Sequence, residues 1–184
     1  MSRGFVLPSQ ISPPIVAAAS ALTLITAQPF TTQPTVSMAA GIFSATYKNY
    51  LVELEISTSS GNQDISLRFN ASGTPVTTTE YSAGICAARV NDVLTGIGTS
   101  GGSSAVIGHI LATRSAAFAF NVIAPMAATY SNVTIAGMGA ATGVGTAALA
   151  GSAILTVAAA HDGLTWFVSG TITGTYRVYG LADS

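Results

Sequence analysis

The chain has 184 residues with six Lys or Arg and seven Asp or Glu, so its formal net charge is -1. Charged residues make up 7% of the chain, whereas they make up about 25% of an ordinary globular protein. Six basic residues scattered over this length form no positive patch, which excludes a nucleic-acid-binding surface of the usual kind. The length is sufficient for one domain with a two-sheet core and an additional arm.

The scarcity of charge leaves the surface to Ser, Thr, Asn, Gly and Ala. A surface of this kind tends to associate, so the composition favours burial of much of it against other subunits. The same composition is also typical of a Ser/Thr-coated extracellular β domain, and the sequence leaves both interpretations open. The single cysteine, Cys86, allows no intrachain disulfide. Its small apolar neighbours predict a small buried hydrophobic side chain.

Residues 1–28 are predicted to form an N-terminal anchoring arm. Three prolines within residues 1–14 fix φ and remove backbone donors, which favours an extended segment over a helix. The arm carries four large apolar side chains: Phe5, Val6, Leu7 and Ile11. Such side chains need another surface to lie on, so we expect the arm to attach the protein to a neighbour.

The apolar run from 15 to 27 is the first candidate for a regular element. It is too short for a membrane span, which needs about 20 residues, so no membrane partner is expected. An apolar run of this length also resembles the core of a secretory signal. Because two prolines directly precede it, a first strand is favoured, with a short helical turn over 17–21 as an option.

The segment from 41 to 57 carries the clearest pattern of the chain. Tyr50, Val52, Leu54 and Ile56 alternate with Glu53 and Glu55 at a period of two, which is typical of a strand with one buried and one solvated face. This pattern predicts a central strand of an antiparallel β-sandwich.

Residues 64–70 alternate in the same way, and a turn-like segment, 59–62, precedes them. A hairpin of the two strands is therefore predicted. In that hairpin Arg68 would share the polar face with Glu53 and Glu55. An exposed pair of this kind contributes only about 0–1 kcal/mol, so it is interpreted as a register feature.

The rest of the chain predicts further short strands at 81–90, 105–113, 116–123, 130–136, 146–158 and 171–179. The glycine-rich segments 91–104 and 137–145 are predicted to be loops. The second fits neither the dinucleotide-binding nor the P-loop spacing. Eight or nine short strands predict an all-β protein, an antiparallel β-sandwich of jelly-roll type over residues 29–184.

No group of residues offers a catalytic or metal-binding constellation. His109 lies within a predicted strand, and His161 is expected to lie in a polar turn beside Asp162. A zinc site requires three or four ligands, and no such cluster is present, so neither a metal nor a cofactor is expected. Glu53 and Glu55 would lie about 7 Å apart by strand rise, but every i, i+2 pair in a strand does. The protein is therefore expected not to be an enzyme.

Sugar binding would use exposed aromatic side chains. Four residues are candidates for a glycan contact: Trp166, Tyr81, Tyr130 and Tyr179. Trp166 lies between Thr165 and Phe167, which favours packing in the core or between subunits. Trp166 and Tyr81 are retained as possible glycan contacts.

Four segments together resemble a known group of proteins. They are FSATYKNYLVELEI (43–56), ISLRFNASGT (65–74), AFAFNVIAPMAATY (117–130) and HDGLTWFVSGTITGTYRVYGLAD (161–183). In this order they are similar to β-rich structural proteins of tailed-bacteriophage virions, which are variously tail, collar, fibre or capsid-surface proteins. The resemblance spans most of residues 41–183, excludes 1–28, and is weakest in the Ala- and Gly-rich middle of the chain.

The resemblance implies a non-enzymatic structural component of a virion, namely a capsid decoration (cement) protein or a neck or tail accessory protein. The implied partners are other virion proteins and further copies of this chain, with a homotrimer expected by analogy with phage surface proteins. The alternative is a receptor- or glycan-binding module of a tail fibre or spike.

Overall fold

The computed structural model describes residues 22–89, 94–112, 114–141 and 144–182. These residues contain eleven strands and no helix. The strands are β1 (Leu22–Ser37), β2 (Asn49–Ser59), β3 (Gln63–Ala71), β4 (Thr74–Pro75), β5 (Tyr81–Arg89), β6 (Leu94–Gly102), β7 (Ala105–Ile110), β8 (Ala116–Ile123), β9 (Ser131–Ala141), β10 (Val144–Leu155) and β11 (Gly163–Leu181). Strands account for 72% of the described residues, and every pairing between them is antiparallel. The prediction of an antiparallel all-β protein is confirmed.

Six of the strands close into a barrel, in the order β3, β11, β2, β8, β9 and β7. The ring is completed between β7 and β9, where His109 pairs with Ala140. Beyond β9 the sheet continues through β10, β5 and β6. β1 pairs with the edge of β11 opposite to the one that pairs with β2 and β3. The jelly-roll arrangement expected from the sequence stays a prediction.

Side chains at alternate positions of the strands fill the interior of this barrel. On β2 the predicted inward residues Tyr50, Val52, Leu54 and Ile56 are all buried. β3 and β8 contribute their alternate residues to the same core, and the largest fully buried side chain is Trp166 of β11. Because each of these strands buries one face, a shift of one residue would turn its apolar set into water, which fixes the register.

β11 is the longest strand, and it organises the fold. Its first residues pair with β3, from Gly163↔Asn70 to Phe167↔Ser66, and its later residues pair with β2, from Ile172↔Ser59 to Leu181↔Asn49. β1 pairs with both parts of β11, so β2 and β3 lie end to end along its other side. They form one line that bends at 60–62.

The predicted hairpin of β2 with β3 is therefore wrong, and Arg68 does not join Glu53 and Glu55. Arg68 donates a hydrogen bond to the carbonyl of Ser103 and lies 4.4 Å from the centre of the Phe167 ring. The turn-like residues at 59–62 instead make a corner, a common device by which strands pass from one part of a sheet to another.

Two predicted loops are also strands. β6 occupies most of 91–104, and β9 and β10 extend into 137–145, where residues 91–93 and 142–143 lie outside the described residues. Gly137 is required where it stands, because a Cβ there would collide with the carbonyl oxygen of Ala117 on β8.

The first strand begins at Leu22, so residues 22–28 of the predicted arm belong to the sheet. The pattern-based expectation of a strand within 15–27 agrees with β1 for its described part. Four residues predicted to anchor the arm lie outside the described residues: Phe5, Val6, Leu7 and Ile11.

Candidate interaction surfaces

The first candidate surface is the outward face of β8, β9, β10, β5 and β6, which we call the outer face. Its central row consists of consecutive cross-strand partners: Ala119, Ala136, Ala150, Cys86 and Gly96. The neighbouring row contains Ala117, Met138, Ala148, Ala88 and Leu94. Except for Ala119, which is half-buried, these residues are exposed, and none of them is charged.

Among the described outward residues of this sheet, charged side chains appear where the outer face meets β2 and β11. Glu53 continues the central row as the partner of Ala119, and Arg177 pairs with Glu53 in turn. Arg177 Nη1 lies 3.0 Å from Glu55 Oε2, and the Tyr179 hydroxyl donates to Glu53 Oε2 at 3.3 Å. The hydrogen bond to Glu55 raises the pKa of Arg177, which favours the charged guanidinium. Both carboxylates therefore serve cross-strand pairing.

Cys86 lies at the centre of the outer face and is exposed. The prediction that it is a buried hydrophobic side chain is wrong. β5 buries Ile85 and Ala87, and the alternation of the strand turns Cys86 outward.

A second candidate surface is the open edge of β1. Among the described residues β1 pairs with β11 alone, and most of its side chains are exposed, including Leu24 at 55%. A groove of about 750 Å³ runs along it, lined by Gln28, Thr31 and Gln33 among others. A strand at the edge of a sheet can act as a template for pairing with another extended segment.

The two retained glycan candidates, Trp166 and Tyr81, are both fully buried. Trp166 packs against the rings of Phe120 and Tyr176. Neither residue presents a ring face to a saccharide, so they serve the core. Of the other two candidates, Tyr130 is 57% exposed and Tyr179 is half-buried.

The two histidines also have structural surroundings. His109 Nδ1 lies 2.9 Å from Asp64 Oδ1 across β3 and β7. His161 was expected in a polar turn, but its side chain is fully buried, with Nδ1 2.7 Å from Ser131 Oγ. The carboxylate of Asp162 accepts from the backbone N–H groups of Gly41 and Gly73 instead of meeting the imidazole. These contacts join three loops and give no reactant access to Ser131, which is itself fully buried.

Within the described ranges no three His, Cys, Asp or Glu residues are close enough together to hold a metal ion. No helix in the same part of the chain is long and apolar enough to cross a membrane. No protein-family model, no curated protein and no solved structure matches the chain.

The outer face could not be recognised from the sequence, because what marks it is the absence of charged residues at the outward positions. In AAFAFNVI the outward positions of β8 carry Ala117 and Ala119, where β2 carries two glutamates. Alternation of large with small apolar residues is weaker than alternation of apolar with charged ones. The sequence did show the scarcity of charge from which this face results.

Proposed function

We propose that the protein is a non-enzymatic structural component of a bacteriophage virion, a capsid decoration (cement) or neck or tail accessory protein that its N-terminal arm attaches. The four motif segments support the virion assignment, and with it the jelly-roll type of sandwich. The partners are other virion proteins and further copies of this chain, with three copies as the proposed number.

The observation that carries the attachment is the position of β1. Among the described residues β1 pairs with β11 alone, and the side chain of Leu24 is exposed. A chain of 21 residues can extend by up to about 70 Å, which is enough to cross a neighbouring subunit. Burial of the four apolar side chains of the arm would contribute roughly 1.5–3 kcal/mol each.

The test removes residues 2–14 and measures binding to virions that lack the protein. We expect the truncated protein to fold and its affinity for the particles to fall by at least about 100-fold, since the lost burial amounts to several kcal/mol. Equal affinity of the truncated and full-length chains would refute attachment through the arm.

Two matched sets of substitutions refine this test. The first changes the apolar residues Phe5, Val6, Leu7 and Ile11 to Ser, and the second changes the polar residues Ser2, Ser9, Gln10 and Ser12 to Ala. Only the first should weaken binding.

The copy number per particle then distinguishes the two positions in the virion, because hundreds of copies indicate the capsid surface and a few dozen or fewer indicate the neck or tail.

A further inference from the structure

We propose that the outer face is the surface through which copies of this chain pack against each other. The inference rests on the homo-oligomeric part of the proposed function and is independent of virion attachment. Cys86, at the centre of the outer face, would lie inside the contact between the copies.

The absence of charge on the outer face is the first argument. Outward residues of β8, β9, β10, β5 and β6 include no Asp, Glu, Lys or Arg within the described residues. A charged partner surface would lose water there without gaining an opposite charge, which is costly. A second copy offers the same uncharged surface and is always present at equal concentration.

Size is the second argument. The face spans five strands and four rows of outward residues, or about 24 Å by about 27 Å, which gives a footprint of about 650 Å². Specific interfaces take about 600–1,000 Å² from each partner. Its centre is mostly apolar, with uncharged polar residues such as Asn121 and Thr134, and its lack of charge agrees with the depletion of charged residues at the centre of protein interfaces.

Shape is the third argument. Leu94 and Met138 protrude, with 70% and 57% of their surface exposed. A depression of about 580 Å³ lies beside Leu94 and Cys86, and another of about 440 Å³ lies beside Met138, where Ala136, Glu53 and Glu55 also line it. The face thus carries both projections and hollows of similar kind, so a copy of it can fill the hollows with its own projections.

The border of the face is self-complementary as well. Glu55 and Arg177 lie side by side there, so a second copy brings an opposite charge to either of them. Pairs at such a polar rim fix orientation more than they add affinity. The face can meet its copy about a two-fold axis or line a three-fold axis.

The test combines molecular mass with the reactivity of Cys86, the only cysteine. Sedimentation of the wild-type protein at micromolar concentration should give two or three times 18.4 kDa. Alkylation of Cys86 by a maleimide should be slowed at least about tenfold relative to a monomeric variant, because the thiol is covered in the oligomer. Ala136→Glu places a charge in the middle of the face and should raise the dissociation constant by at least about 100-fold.

Ala45→Glu is the matched control, since it adds the same charge to an exposed alanine in the loop between β1 and β2. It should leave both mass and thiol protection unchanged. Ala150→Lys repeats the test with the opposite charge if Ala136→Glu does not fold, as judged from the fluorescence of Trp166.

Three results would overturn the proposal. One is a wild-type monomer with a freely reacting Cys86. Another is a wild-type oligomer that both face variants preserve. The third is a monomer with a protected Cys86, which would mean that another segment of the same chain covers the face. Failure to bind particles, with oligomerisation through the face intact, would refute the proposed function and leave this inference standing.

Discussion

Ser131 Oγ and His161 Nδ1 share a hydrogen bond of 2.7 Å in the interior of the protein, where both side chains are fully buried. The ring of Phe69 lies 5.4 Å from the imidazole ring, centre to centre. Within the described part of the chain the other ring nitrogen, Nε2, has no hydrogen-bond partner. Protonation of this ring would leave a charge poorly compensated.

The first prediction is acid sensitivity through His161. Burial lowers the pKa of His161, against a smaller opposing effect of the Asp162 charge. In the unfolded chain the imidazole takes up a proton near pH 6.5, whereas in the native protein it does so only at lower pH. The unfolded state therefore binds more protons than the native state below about pH 6.5, and the free energy of unfolding falls there as the pH drops. His161→Gln should flatten this slope, measured by urea unfolding at several pH values with Trp166 fluorescence. A slope unchanged by His161→Gln would contradict the assignment.

The second prediction concerns Asp162, which holds two loops by their backbone. Its carboxylate accepts from Gly41 N at 3.2 Å and from Gly73 N at 3.0 Å. Both glycines have positive φ, 76° and 73°, which glycine adopts without strain. Asp162→Ala should lower the free energy of unfolding by about 1.5–3 kcal/mol, as expected for hydrogen bonds to a charged group. Asp162→Asn keeps an acceptor oxygen and should lose less of the free energy of unfolding. Equal urea midpoints for the wild-type protein and Asp162→Ala would refute this role of Asp162.

The sequence identified the strands in which large apolar residues alternate with charged ones, such as β2. It missed β6, LTGIGTSGG, because two of its outward positions carry glycine, a third carries Leu94, and its inward positions carry few large side chains. β6 is specified by its partner β5, with which it pairs from Tyr81↔Gly102 to Ala88↔Leu94. Local pattern carries no information on such long-range pairing.

The wrong partner for Arg68 has the same cause. A short polar segment between two alternating runs is usually a hairpin turn, and here it is a corner. What distinguishes the two is the side chain of Gln63, whose contacts on β11 are more than a hundred residues away in sequence. The sequence also could not show that Trp166 and Tyr81 are buried, because amphipathic aromatic residues occur both in cores and on surfaces.

The third prediction tests this corner. Gln63 is buried, its Oε1 accepts from Gly170 N at 2.5 Å, and its Nε2 donates to Ser59 Oγ at 2.6 Å. Gln63→Ala leaves the part-buried Gly170 N–H unpaired and removes one of the two hydrogen bonds of Ser59 Oγ, so it should cost about 1–3 kcal/mol. Gln63→Glu keeps the acceptor for Gly170 and serves as the comparison. Thermal unfolding followed by circular dichroism measures both, and a Gln63→Ala melting temperature within error of wild type would contradict the corner's role.

The last prediction concerns Tyr81, whose hydroxyl continues the hydrogen bonding of β3 beyond the short strand β4. It accepts from Phe69 N at 2.9 Å and donates to the carbonyl of Val76 at 3.1 Å. β4 ends at Pro75, which has no N–H to offer. Burial raises the pKa of Tyr81 to about 12, so the hydroxyl keeps its proton throughout the neutral range.

Tyr81→Phe preserves the ring and its packing but removes both hydrogen bonds, which leaves the Phe69 N–H unpaired inside the protein. The free energy of unfolding should fall by about 1–3 kcal/mol, by the same amount at pH 6 as at pH 9, since Tyr81 does not ionise between them. Tyr130→Phe removes an exposed hydroxyl and should stay within about 0.5 kcal/mol of wild type. Urea unfolding monitored by Trp166 fluorescence measures both variants. If Tyr81→Phe proved as stable as Tyr130→Phe, the hydroxyl would not be holding β3 in place, and the loop after β4 would have to be fixed by packing alone.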